Sequence, residues 1–343
     1  MNRIRFVFLD YLRIFAATSV FFGHIMPGIL NEFINSNQFR EEHAFYWELF
    51  SFIQYVSFMG GSGVIVFFLI SGYIITHTLQ STMADIFIIR RFFRIYPAFI
   101  IASFLEYVIS DQQFEFSTIL GRITLLGDFL DIPYGLGGVE WTLRIELYFY
   151  IFMYASKKLG FFLNRQFPLI FLAPAFCLLF YDPFPSSGFA TGYINLYTPL
   201  LFIGSCVYIA QYRTNSRTLS IIVMFILYII HIQALVRFGK GGAYFQFLNT
   251  GVFIWFSLWY LQKLLPEGFI VSILSNITYS IYLFHNWTII PFSKLLGREM
   301  NVTSFLFFLI LISLITYYII ELPSITLGRM LTRRSIYKPS VNS

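Results

Sequence analysis

Three ionisable residues interrupt the first apolar run of the chain: Asp10, Arg13 and His24. At about 100° per residue, the steps from Arg13 to His24 bring a helix back to within about 20° of the same direction. Asp10 lies one turn before Arg13 and joins the same stripe. The rise from Arg13 to His24 is about 16 Å, so the two occupy opposite halves of one helix. Ionisable groups inside an apolar helix are costly and face a cavity or a partner. An imidazole can serve as a general base, and a guanidinium can receive an anion. The plainer reading of Asp10 and Arg13 is a packing stripe in which they neutralise each other. For His24 alone it is a satisfied core histidine.

A second cluster is RRFFRIYP, with Arg90, Arg91 and Arg94. Arg91 and Arg94 are one turn apart, and paired guanidiniums suit phosphate oxygens. For Arg90 an orienting positive charge at a membrane surface is sufficient. A third is WTLRIELYFY, with Trp141, Arg144 and Glu146. A carboxylate near an imidazole can fix its tautomer. Glu146 is expected at about the depth of His24, with structural ion pairs as the alternative for Arg144 and Glu146. His285 is placed in the same outer half.

GGSGVIVFFLISGYIIT contains Gly60, Gly61, Gly63, Ser71 and Gly72. No lysine follows to make a phosphate loop, and Ser71 lacks the flanking glycines of a nucleophile elbow. Close approach of helices, or of a ligand arm, accounts for these small residues. The histidines have no metal-ligand spacing. Cys177 and Cys206 lie within apolar runs and imply neither a disulfide framework nor a metal site.

The elements that must position these groups are membrane helices. The chain is 57% hydrophobic and 12% charged, with 44 Phe, 23 Tyr and 5 Trp, and its mean hydropathy is +0.71. A bilayer core of about 30 Å needs roughly 20 apolar residues per helix, and such runs recur from end to end. Ten spans are expected, near 6–27, 54–77, 93–110, 139–157, 166–181, 193–211, 218–236, 246–265, 269–291 and 303–322. The apolar N-terminus contains Asp10 and Arg13 and lacks a clear cleavage site, so it reads as a retained helix.

The net charge of +6 comes from residues dispersed in short loops, which suits membrane orientation rather than nucleic acid. With the N-terminus inside, inner segments carry 15 Lys and Arg and outer ones 6. Both termini are therefore expected in the cytoplasm. The longest connections, 28–53 and 111–138, then lie outside. The second ends in Gly135, Gly137 and Gly138, just before Trp141.

LDYLRIFAATSVFFGH resembles the first-helix signature of membrane-bound acyltransferase family 3. FFLISGYIIT, RRFFRIYP, WTLRIELYFY and ITYSIYLFHN follow in that family's order, and the resemblance runs from about 6 to 325. It implies an all-α protein of the bacterial inner membrane, with about ten helices, that transfers acyl groups. The donor would be cytoplasmic acyl-CoA, most commonly acetyl-CoA. The acceptor would be a sugar hydroxyl of a surface polysaccharide or its lipid-linked precursor, with O-antigen foremost. The resemblance makes His24 the catalytic base and places Arg13 in the same essential motif. It assigns Arg91 and Arg94 to the CoA side and Glu146 to catalysis. Asp10, Trp141, Arg144 and His285 are expected in support. A membrane domain over 1–325 and a tail over 326–343 are expected, without the periplasmic hydrolase-like domain of many relatives. No metal is implied.

The expected mechanism has CoA phosphates at Arg91 and Arg94 and its thioester arm passing Arg13. His24 takes the proton of the hydroxyl, and Glu146 or a neighbour steadies the imidazolium. The rival from another class is a proton-coupled exporter of a glycolipid or small molecule, for which the same intramembrane charges would serve. No paired half-sequences of the kind common in transporters are evident. A non-catalytic scaffold would leave the ionisable stripe without a purpose.

Overall fold

A computed structural model describes residues 6–58, 60–110, 115–296 and 302–333; side chains at 26–33, 53–58 and 296 fall outside that description, as does the end of the tail. Among the described residues the chain is helical, with no strand. The helices are α1 (Val7–Ile34), α2 (Asn37–Glu42), α3 (Ala44–Phe58), α4 (Gly60–Ser81), α5 (Ala84–Ile109), α6 (Phe116–Thr124), α7 (Glu140–Lys158) and α8 (Leu172–Phe180). They continue with α9 (Tyr193–Tyr212), α10 (Arg217–Arg237), α11 (Ala243–Tyr260), α12 (Phe269–Phe284), α13 (Ile289–Leu296), α14 (Val302–Thr316) and α15 (Leu322–Arg333).

Five stretches are long and apolar enough to cross a membrane: α4, α5, α9, Thr214–Arg237 and Val302–Arg333. Phe167–Phe180 and Phe269–Phe284 are shorter apolar helices. The protein is therefore an all-α membrane protein; five of the ten expected spans are long and apolar enough by themselves among the described residues. The sequence explains the inequality. Helix α1 contains Asp10 and Arg13, and α7 contains Glu140, Arg144 and Glu146. Segment 166–181 starts as a 3₁₀ turn, Phe167–Phe171, before α8 begins.

Other boundaries shift as well. The expected outer loop 28–53 is largely helical, occupied by the end of α1, by α2 and by much of α3. Helix α5 starts at Ala84, so the whole RRFFRIYP motif lies inside it and Pro97 does not break it. The last span continues through a π-helical turn, Tyr317–Glu321, into α15.

The outer surface differs from that of a soluble protein. Helices α4 and α9 are mostly buried, whereas α5 and the α14–α15 run bury little more than a quarter of their apolar stretch. Phe92, Phe104, Phe225, Ile229, Phe307 and Ile319 point outward, while Glu106, Glu140, Arg144, Glu146, His285 and Glu321 are buried. An apolar exterior, with the ionisable groups confined to an otherwise apolar interior, is what a hydrocarbon solvent selects.

Lipid supplies no hydrophobic drive between helices, so close packing through small residues takes its place. At the α4–α9 crossing, a Cβ on Gly72 would stand 1.9 Å from the Leu201 carbonyl oxygen, and one on Gly204 would stand 2.2 Å from that of Leu69. The α1–α4 pair is antiparallel: a Cβ on Gly60 would meet Gly23, one on Gly63 would meet the Ala16 carbonyl, and Phe8 stacks edge-on with Tyr73. Helices α1 and α12 run parallel, joined by Ser275 and Asp10 at one end and by the His24 and His285 rings at the other.

Candidate active site

The singled-out residues fall into two groups at opposite ends of the bundle. At the first end, Arg13 makes an ion pair with Asp10 at 3.5 Å, and Asp10 also accepts from Ser275 Oγ at 2.7 Å. The neutralised pair expected as the plainer reading is thus formed, and it is tied to α12. Arg90 donates to Thr332 Oγ1 at 2.9 Å and so serves to anchor α5 against α15. Arg91 donates to Thr78 Oγ1 at 3.3 Å and lies against the Phe87 and Tyr150 rings. Arg94 is half-buried and has no hydrogen bond or ion pair among the described residues. It acts on two carboxylates only through space, Glu146 and Glu321.

Glu146 belongs to this end. Its carboxylate accepts from Ser71 Oγ at 2.6 Å and interacts with Tyr150, Arg91 and Arg94. The expected pairing of Glu146 with His24 is not what the structure contains. One contact shows the offset. Thr142 and Tyr282 hydroxyls meet at 2.7 Å, which fixes α7 against α12. From that level Glu146 is four residues along α7 one way, and His285 is three residues along α12 the other way. At 1.5 Å per residue they are about 10 Å apart along the bundle.

Glu321 was not anticipated. It is buried, its Oε1 accepts from Ser280 Oγ, and its Oε2 has no hydrogen-bond partner among the described residues. It sits in the π turn, a deviation that often marks functional positions in helices. The only sequence signal was an acid immediately after an apolar run, at the edge of the last expected span.

At the other end, His24 and His285 lie with ring centroids 5.1 Å apart, tilted by 55°. His24 is exposed and makes no hydrogen bond among the described residues. His285 is 1% exposed, with Nδ1 2.8 Å from the Tyr282 carbonyl and Nε2 unpaired. His285, expected in support, is thus the ring that lies beside His24, where Glu146 was expected.

The glycine loop covers the His285 side. Glu106 on α5 accepts from the backbone N–H groups of Leu136 at 2.6 Å and Gly137 at 2.9 Å. Gly137 has φ of +63°, and a Cβ there would stand 2.9 Å from Asn286 Nδ2. Glycine is therefore required at this turn. Asn286 Nδ2 donates to the Gly137 carbonyl at 2.5 Å, and Tyr282 donates to the Val139 carbonyl at 3.0 Å. Trp141 packs on Tyr193 and Tyr197.

Arg144 has a separate task. It lies two residues from Glu146, so about 200° around the helix from it. Fully buried, it pairs with Asp128 at 2.8 Å and Glu140 at 2.7 Å and covers the Tyr134 ring. Glu140 in turn accepts from Gly135 N–H at 2.8 Å. The structural ion-pair reading of Arg144 thus describes its contacts.

No group of metal-ligating side chains occurs among the described residues. The remaining chemistry consists of a guanidinium with open donors, bases that lack donors, and carboxylates held by serines. Residues 6–321 match the family model described as an acyltransferase domain. The chain belongs to acyltransferase family 3. It is a membrane acyltransferase, and the five motifs from LDYLRIFAATSVFFGH to ITYSIYLFHN lie inside the matched region. No curated protein matches the chain, and no solved structure does.

Proposed function

We propose that this acyltransferase moves an acetyl group from cytoplasmic acetyl-CoA to a sugar hydroxyl on the far side of the bacterial inner membrane. The acceptor in this reading is a surface polysaccharide or its lipid-linked precursor, of the O-antigen kind. Both termini are cytoplasmic, so the arginine end faces the donor and the histidine end the acceptor.

The observation that carries the reading is the separation of the two kinds of chemistry along α1 and its neighbours. Arg94 retains open N–H donors, and guanidiniums with Arg91's geometry suit phosphate oxygens. His24 is reachable and has no hydrogen-bond partner that would occupy it. In the proposed step His24 takes the hydroxyl proton while the hydroxyl oxygen attacks the thioester carbonyl. The C–O bond forms, the C–S bond breaks, and the proton returns to the leaving thiolate. Glu146, held by Ser71 beside Arg91 and Arg94, steadies the arginines on the donor side rather than the imidazole.

Membranes containing the protein, given radiolabelled acetyl-CoA, should lose thioester only when glycan acceptor is present. Mass spectrometry of surface polysaccharide with and without the gene should show one added acetyl mass per modified sugar. Gradient-driven export of a glycolipid without thioester consumption would instead favour a transporter.

A further inference from the structure

The buried face of the His24 and His285 pair carries an inference that rests on the reading of His24 as base. The Tyr282 carbonyl 2.8 Å from His285 Nδ1 can only accept, so Nδ1 carries the proton. Nε2 is then a bare lone pair on a ring that is 1% exposed, and it has no donor among the described residues. Buried acceptors are normally satisfied, and an exception calls for a reason. The reason is next to it: the His24 ring, centroid 5.1 Å away, on a side chain with no hydrogen bond among the described residues to hold it.

We propose that His285 is a positioning residue whose Nε2 accepts a hydrogen bond from His24 and holds the imidazolium during transfer. Before the step, that bond selects the His24 tautomer whose other nitrogen is free to take the hydroxyl proton. When the acceptor O–H breaks, both His24 nitrogens carry hydrogen. One holds the transferred proton until the thiolate takes it, and the other donates to His285 Nε2. His285 gains and loses no proton. Its fixed Nδ1 keeps the lone pair aimed, because α12 and the Gly135–Gly138 loop are joined through Asn286 and Tyr282.

The test uses membranes that contain the native glycan acceptor, radiolabelled acetyl-CoA at varied concentration, and the full chain at matched levels. His285→Leu should lower the maximal rate by about 100-fold, with the KM for acetyl-CoA unchanged within about twofold. His285→Gln, whose side-chain carbonyl can accept from His24, should recover at least about a tenth of the wild-type rate. On a His24→Ala background, His285→Leu should cost nothing further, because the two act as a unit. Thermal unfolding in detergent accompanies each variant, and His285→Asn, too short to reach His24, replaces His285→Leu if that variant does not fold. Equal losses in the Leu and Gln variants, or a loss confined to KM, overturn the assignment. If His24→Ala is inactive and His285→Leu is not, only the role of His285 falls. If His24→Ala keeps the full rate, the reading of His24 as base falls first.

Discussion

The two ends of the bundle solve the problem of intramembrane charge in different ways. At the arginine end, three carboxylates are each tethered by a serine hydroxyl: Asp10 by Ser275, Glu146 by Ser71 and Glu321 by Ser280. Arg13, Arg90, Arg91 and Arg94 stand among them, so this end gathers arginines and carboxylates together. At the histidine end two imidazoles face each other, His285 Nε2 has no donor among the described residues, and Glu106 clamps a backbone loop beside them. Fixed charge suits holding an anionic ligand, and a neutral base suits moving a proton. In the proposed reading ligand binding belongs to one end and proton transfer to the other, although α1 and α5 run through both. Helix α5 carries Arg94 at one end and, at the other, Glu106, which holds the loop beside His285.

The largest expected effect breaks the proton-transfer end. His24→Ala should reduce acetyl transfer by about 10³-fold or more and leave acetyl-CoA binding intact, as read by label incorporation and by equilibrium binding in detergent. A mechanical change comes next. Arg144→Met leaves Asp128 and Glu140 buried without their cation, and breaking a buried pair of this kind costs about 3–5 kcal/mol. Thermal unfolding of the detergent-solubilised protein should show the loss. Retention of stability would mean that the outer segment is held by something else.

A smaller effect probes the donor end. Arg94→Gln removes charge-assisted hydrogen bonds worth about 1.5–3 kcal/mol, so acetyl-CoA affinity should fall by roughly 10- to 150-fold. Titration of the variant with acetyl-CoA reads this, and unchanged affinity would remove Arg94 from the donor site. The smallest effect sharpens the role of Glu146. Ser71→Ala deletes one hydrogen bond to it, worth about 1 kcal/mol. The account expects a several-fold rise in KM for acetyl-CoA at constant maximal rate. A fall in maximal rate instead would return Glu146 to the histidine end.

Much of this arrangement was legible in the chain. Helical arithmetic put Arg13 and His24 on one stripe about 16 Å apart, and charge among apolar runs marked the RRFFRIYP and WTLRIELYFY motifs. The partners were not legible, because they depend on the relative height of helices distant in sequence. Glu146 was expected beside His24, but α7 begins at the glycine loop and carries Glu146 down to Ser71. His285 was expected at the same end as His24, but not as the ring beside it, on a helix some 260 residues later. The polar composition of 28–53 suggested a loop, yet Ser36 caps α2 by accepting from Phe39 N–H, and α3 packs on α1. Tertiary packing overrode local polarity there. Glu321 gave little warning, since its helix reads as a simple terminal span until the π turn rotates the acid inward.

The most direct measurement compares His24→Ala and Arg94→Gln in the same membranes, recording acetyl-CoA affinity and acetyl transfer for each. The two variants should show opposite signatures: His24→Ala binds donor as the wild type does and does not transfer, whereas Arg94→Gln loses affinity and regains transfer at saturating donor. Loss of donor binding in His24→Ala, or normal transfer by it, would contradict the division of labour between the two ends.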